Sequence, residues 1–257
     1  IEEMGYEVGF AKNGQDALYK LYDSGEKYDL VTLDINMPVM DGLATLKAIM
    51  KKEPMPVLMV SSLTDGESKT TFEALEEGAI DFVPKPGTFS VNLDDGGQEL
   101  CTKAKSAIRV PRKKLFLKRK SRRRIDELDS LKEQATADTP VFKALKKDGS
   151  FDKLVVIGSS TGGPKLIEQI AATLPESYPY PILVAQHMPE SFTSGFAKRL
   201  NMKSQLQVHE ASSNLEVKAG EMIIAKGGMH MIFSQKVSGK RIVRVAPNTQ
   251  NHFFTPS

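Results

Sequence analysis

The chain has 257 residues, 40% hydrophobic and 26% charged, with a formal net charge of +3. That is an ordinary soluble composition, long enough for one large or two ordinary domains and for a sizeable core. No apolar run approaches the length of a membrane span, the start IEEMGYEV has neither a basic n-region nor an apolar h-region, and the single cysteine, Cys101, excludes an internal disulfide, so the expected compartment is the cytosol.

Residues 1 to 108 alternate strand and helix signals. YEVGFAK (6–12) reads as a short strand and NGQDALYKLYDSG (13–25) as a helix. DLVTLD (29–34) is an apolar strand ending on Asp34, and LATLKAIMKK (43–52) is a helix. MPVLMVSS (55–62) is a strand, 65–77 a helix closed by Gly78, and AIDFVPKP (79–86) a last strand. Cys101 lies in QELCTKAKS, an amphipathic helical pattern, which argues against a catalytic thiol. Such alternation predicts a parallel sheet with helices on both faces, whose functional residues gather at the carboxyl ends of the strands. Asp34, Ser61 and Lys85 all fall there.

LDINMPVMDG with Asp34, VSS with Ser61 and GAIDFVPKP with Lys85 resemble the receiver domain of two-component response regulators over essentially all of residues 1–108. The resemblance implies that Asp34 accepts a phosphoryl group, that Ser61 bonds it once formed, and that Lys85 pairs with its charge. It also implies Mg²⁺ between carboxylate and phosphoryl oxygens, held by Asp34 and the backbone carbonyl of Asn36, and a histidine kinase as phosphodonor. Chemically, a carboxylate, a hydroxyl and an ammonium converging at strand ends can hold an acyl phosphate. The family's first strand, with its acidic pair, has no counterpart after Ile1, and the chain as written is expected to accept phosphoryl groups poorly.

Residues 109–150 change character. Arg109 to Arg124 contains PRKKLFLKRKSRRR and no acid, and the polar IDELDSLKEQATADTP follows without a run long enough for a core. This reads as a basic linker. Docking to nucleic acid or another acidic surface is the sharp reading of its charge, and a solvated hinge is the favoured one.

The second domain, 151–257, opens on LVVIGSSTGGP (154–164). Leu154 to Ile157 is a buried-strand run, Gly158-Ser159-Ser160-Thr161-Gly162 fits G-x-S-x-G, and Pro164 suits the first turn of a helix. The pattern singles out Ser160 as a nucleophile. A dinucleotide fingerprint fails because 160 is serine, and a phosphate-binding P-loop fails because Pro164 and Lys165 follow Gly163. The next helix carries Leu166, Ile167, Ile170, Ala171 and Leu174 on one face. PILVAQ (181–186) is the following strand and ends at His187, a base at the carboxyl end of the neighbouring strand. His209, in QLQVHEA, reads as exposed. His230, in GGMHMIF, follows a hairpin turn and could line a cleft or simply pack, and His252 lies near the last residue.

IGSSTGGP, VAQHMPESFTSGFAKRLN, KAGEMIIAKGGMHM and NHFFTPS resemble the catalytic domain of the chemotaxis protein-glutamate methylesterases. Receiver, basic linker and this domain match the whole chain in that order. The fold class implied is α/β, with two doubly wound parallel-sheet domains: a flavodoxin-like receiver and a Rossmann-like esterase domain with β-hairpin elements, both incomplete. The implied roles are Ser160 as nucleophile, His187 as base, and Thr161 with Gly162 as part of the oxyanion and substrate surface, without a cofactor for the esterase. The implied substrates are γ-methyl glutamyl esters, and in some members glutamine amides, on cytoplasmic chemoreceptor helices, with the receiver covering the Ser160 cleft until Asp34 is phosphorylated. No aspartate occurs after Asp152, so the carboxylate that orients His187 is Glu190, Glu210, Glu216 or Glu221, or lies beyond Ser257, which the resemblance favours. On that reading the chain as written is nearly inactive. The alternatives are a response regulator whose output domain binds nucleic acid or a protein without catalysis, against which no recognition-helix pattern appears after 150, and an unregulated hydrolase of small esters.

Overall fold

A computed structural model describes residues 1–2, 5–62, 65–85, 93–112, 115, 149–249 and 255–256. The chain divides into two compact units, Ile1–Pro140 and Val141–Ser257. Most of the basic linker, and His252, lie outside the described residues.

In the first unit, α1 (Gly14–Tyr22) starts where Asn13 accepts a hydrogen bond from the Asp16 amide, and α2 (Gly42–Lys52) where Asp41 accepts from Ala44. Both are side-chain N-caps that satisfy an otherwise orphaned helical N–H. Strands β1 (Val31–Asp34), β2 (Val57–Ser61) and β3 (Asp81–Pro84) pair in parallel in the order β1-β2-β3. Helix α3 (Asp65–Glu77) precedes Gly78, whose φ of +123° is one that L side chains rarely adopt, and α4 (Leu93–Ile108) follows β3. Leu33, Leu46, Ile49, Leu58, Met59 and Phe82 form the core. The α4 residue Lys103 is buried there with its charge matched: its Nζ lies 3.0 Å from Glu99 and 3.6 Å from Asp81 and donates to the Phe82 carbonyl at 2.7 Å.

The expected strand over 6–12 does not form. Val8 and Phe10 are exposed and the segment finds no ladder partner among the described residues, and β-forming composition without cross-strand packing does not make a strand.

The second unit carries two sheets. Strands β4 (Val155–Ser159), β5 (Ile182–Gln186), β6 (Gln207–Glu210) and β8 (Glu221–Ile224) form a parallel sheet in the order β4-β5-β8-β6. Helices α5 (Gly163–Thr173) and α6 (Glu190–Lys203) connect its strands. The other sheet is antiparallel, β7-β10-β9, from β7 (Leu215–Glu216), β9 (Met229–Gln235) and β10 (Arg241–Pro247). Phe151, Leu183, Val217, Ile223 and Val243 make one core with contributions from both sheets.

Two expectations need correcting. The turn before His230 is not a hairpin, because β8 and β9 belong to different sheets; Gly227 and Gly228 carry the chain between them, and the hairpin is β9–β10. On α5 only Ile167 and Ala171 of the apolar face are fully buried, while Leu166 and Ile170 are exposed, as is Val156 on the edge strand β4.

Candidate active site and phosphoacceptor site

At the carboxyl edge of the first sheet, β1 ends on Asp34, β2 on Ser61, and Lys85 follows β3. The ladder runs one residue further there, with Ile35 N–H donating to Val60 (3.3 Å) and Lys85 N–H to Ser61 (2.8 Å). Lys85 Nζ lies 2.8 Å from Asp34 Oδ2, while Asp34 Oδ1 accepts from the Asn36 amide at 3.2 Å. Both charged side chains keep about a third of their surface exposed, at 35% for Asp34 and 32% for Lys85, so the pair faces water and a ligand can reach it. Gly42 opens α2 against the Asp34 carbonyl, and a Cβ there would lie 2.9 Å from the Asp34 carbonyl carbon and from Ile35 Cα.

Ser61 is placed at the same edge but is not joined to Asp34. It is fully buried; its Oγ accepts from Thr71 Oγ1 on α3 at 2.9 Å and donates to the Ser62 carbonyl at 3.1 Å. Thr71 was invisible as a site residue in the sequence. Its signal was a polar residue on the Ser68, Thr71, Phe72, Leu75 stripe, the buried helical face.

The donor set offered to a divalent cation is hard oxygen: the Asp34 carboxylate and the Asn36 carbonyl. Among the described residues no group of three or more metal-ligating side chains is found. Mg²⁺ is commonly held by one or two carboxylates plus water and phosphate oxygens, so these donors fit that ion in a ligand-dependent site.

In the second unit the G-x-S-x-G turn is built as the sequence predicts. β4 ends at Ser159, Ser160 and Thr161 turn, and Gly162 takes the left-handed conformation (φ +77°) as the residue before α5, with Pro164 in the first helical turn. The next glycine serves space, not torsion: a Cβ on Gly163 would lie 2.9 Å from Ser159 Cβ and on top of the Gln186 side-chain oxygen. Ser160 is exposed and its hydroxyl makes no hydrogen bond among the described residues, whereas the Ser159 hydroxyl donates to Gln186 Oε1 at 2.6 Å.

His187 follows β5, half-buried, and its N–H donates to the Ser159 carbonyl at 2.9 Å. Since Ser159 pairs with Gln186 in the β4–β5 register, Ser160 and His187 are consecutive with paired residues on neighbouring parallel strands. No hydrogen bond joins the Ser160 hydroxyl to the His187 ring; the fold brings the residues to one edge without closing the contact. Catalytic hydrogen bonds are often long before substrate binds. Gln186 was missed by sequence reasoning, although a glutamine ending an otherwise apolar strand was its signal.

Each glutamate weighed as the third triad member has another partner or lies elsewhere. Glu190 is 2.8 Å from Lys226, and its hydrogen bond pushes that ammonium above the usual lysine range. Glu210 accepts from Thr193 at 2.5 Å, and Glu216 is 3.3 Å from Lys240. Glu221 opens β8 at the amino edge of the sheet, where burial raises its carboxyl above the usual range. His209 is half-buried in β6, and His230, in β9, sits 3.3 Å from Asn248 Oδ1.

Comparison with known proteins follows this division. A family model described as CheB methylesterase matches residues 155–257, and one described as response regulator receiver domain matches residues 1–92. The chain is 38% identical to "protein-glutamate methylesterase/protein-glutamine glutaminase 2" of Carboxydothermus hydrogenoformans, over 97% of this chain and 68% of that protein. It is 43% identical to "protein-glutamate methylesterase/protein-glutamine glutaminase" of Archaeoglobus fulgidus over 87% of this chain, and spans 60% of that relative's length. Among solved structures, the Thermotoga maritima CheB methylesterase catalytic domain aligns at 41% identity over 41% of this chain and 55% of that one, with a TM-score of 0.39.

Proposed function

The chain belongs to the protein-glutamate methylesterase/protein-glutamine glutaminase family, and from that premise we propose that it works as a phosphorylation-regulated serine hydrolase in chemotactic adaptation. The substrates would be γ-methyl glutamyl esters on chemoreceptor helices, with glutamine side-chain amides as a second class. One observation carries this reading: Ser160 and His187 leave neighbouring parallel strands side by side, tied by the His187 N–H to Ser159 carbonyl bond.

His187 takes the Ser160 hydroxyl proton as the oxygen attacks the ester carbonyl, and the same imidazolium returns it to the departing methanol. The developing oxyanion lies against the turn of Thr161 and Gly162 at the amino end of α5, where backbone N–H groups and the helix dipole favour negative charge. Water then attacks the acyl-enzyme, with His187 again as base, and the glutamate carboxylate leaves. A carboxylate to orient His187 completes the set.

In the receiver, Asp34 attacks a phosphoryl group donated by a histidine kinase. Lys85 already sits on the acceptor carboxylate and would move with its charge to the phosphoryl oxygens, and Ser61 would donate to a phosphoryl oxygen in place of the Ser62 carbonyl. Mg²⁺ held at Asp34 and Asn36 would supply neutralisation of that charge. Residues 109–150 serve as a basic linker between a receiver over 1–108 and an esterase domain over 151–257, with no nucleic acid as partner. Among the described residues no helix is long and apolar enough to cross a membrane.

Methanol release from methylated receptor fragments tests the assignment. The full-length protein should release it and Ser160→Ala should not; equal release by both would return the second domain to a non-catalytic binding role.

A further inference from the structure

Gln186 ends β5 as the polar residue of PILVAQ, and it is buried to 1% of its surface. A buried primary amide costs stability unless its hydrogen bonds are met, so the partners it has found are informative. Its Nε2 donates to the carbonyls of Ser160 (3.1 Å) and His187 (3.0 Å), and its Oε1 accepts from the Ser159 hydroxyl (2.6 Å). Both amide hydrogens therefore end on the backbones of the two residues proposed as nucleophile and base. The orientation is fixed by this set, because turning the amide over would aim its oxygen at two carbonyl acceptors.

The rest of the turn is shaped around that side chain. Gly163 N–H also donates to the Ser160 carbonyl, at 2.8 Å, so this oxygen is held from the helix and from the strand together. A side chain at 163 would occupy the space of Gln186 Oε1. The His187 N–H to Ser159 bond closes the ring from the other side. No hydrogen bond joins the Ser160 hydroxyl to the His187 ring, and Gln186 donates to the main chain of both residues.

We infer that Gln186 is a positioning residue for the ester hydrolysis proposed above, on which this inference rests: it holds the Ser160 turn and the His187 carbonyl in one frame, so that hydroxyl and imidazole meet when substrate arrives. The neighbouring Ser159 is its orienting partner, not a second nucleophile. Glutamate cannot replace it, since a carboxylate oxygen in the place of Nε2 would face two carbonyl acceptors. Methionine of similar length would fill the space and hold neither.

The test compares the full-length protein with Gln186→Met, Gln186→Glu, Ser159→Ala and Ser160→Ala, measuring kcat and KM for methanol release from methylated receptor fragments. In Gln186→Met and Gln186→Glu, kcat should fall on the order of 10²-fold with KM within about twofold, the cost of roughly 1 Å of misplacement. Ser159→Ala removes one hydrogen bond without unfolding a core element and should lower kcat about fivefold. Wild-type kcat in folded Gln186→Met, or in Ser159→Ala if the Gln186 variants do not fold, overturns the positioning role, as does a loss carried by KM. Hydrolysis that survives in Ser160→Ala overturns the esterase reading itself, a distinguishable result.

Discussion

Two sites lie at the carboxyl edges of two parallel sheets, and they are held together differently. In the receiver the proposed acceptor carboxylate and a cation already touch, Lys85 to Asp34 at 2.8 Å, because opposite charges attract without a ligand. In the esterase unit a neutral hydroxyl and a histidine share no such bond; their backbones are fixed by Gln186 and by the strand ladder. The lesson is that the charged pair assembles through its side chains, whereas the proposed nucleophile and base are brought together through bonds to their main chain.

The largest effects should separate the two sites completely. Ser160→Ala should lower ester hydrolysis by about 10⁴-fold or more, while phosphodonor labelling of Asp34 stays at the wild-type rate. Conversely, Asp34→Asn should abolish labelling and leave the basal esterase rate intact, and Lys85→Ala should slow labelling about 10²-fold through loss of a preorganised cation. Radiolabelled phosphate incorporation and methanol release, measured on the same samples, check all three.

A smaller effect is expected at Ser61. Its hydroxyl oxygen accepts from Thr71 Oγ1 at 2.9 Å and its proton goes to the Ser62 carbonyl at 3.1 Å, so the Thr71 bond is a tether on the side chain when Ser61 turns its proton to a phosphoryl oxygen. Thr71→Val removes that tether and should raise the steady-state phosphorylated fraction at limiting donor about fivefold, the worth of about 1 kcal/mol. An unchanged or lowered fraction would mean that Ser61 is held elsewhere.

The smallest expected effect lies away from both sites. Burial raises the Glu221 carboxyl above its ordinary range, so the folded state binds its proton more tightly than the unfolded one. Stability is therefore highest below the unfolded carboxylate pKa and declines as pH rises through the raised folded value. Glu221→Gln should match the wild-type Tm in acid and exceed it at neutral pH, with methanol release unchanged; a gap that is constant with pH would contradict the burial argument.

Strand-end residues were legible from sequence because parallel strands read as apolar runs, and the candidate site residue is where the run stops. DLVTLD and PILVAQ show this, stopping at Asp34 and before His187. What escaped was decided by tertiary partners. YEVGF has strand composition but finds no ladder partner among the described residues, and GGMHM carries turn glycines that change sheets. Thr71 and Gln186 are polar residues in apolar patterns, whose meaning appears only when the group they bond is known. Glycines 162 and 163 look alike in sequence yet differ physically, one needed for its backbone torsion and the other for the Gln186 oxygen beside it.

The central claim is that Ser160, and not its neighbour Ser159, is the nucleophile activated by His187. Treating the full-length protein with a fluorophosphonate ester and mapping the adduct by peptide mass spectrometry tests it directly. The account predicts a single adduct on Ser160 that forms at least about a hundredfold more slowly in His187→Gln, roughly the smallest contribution typical of a general base. An adduct on Ser159, or labelling of Ser160 at an unchanged rate without His187, would contradict it.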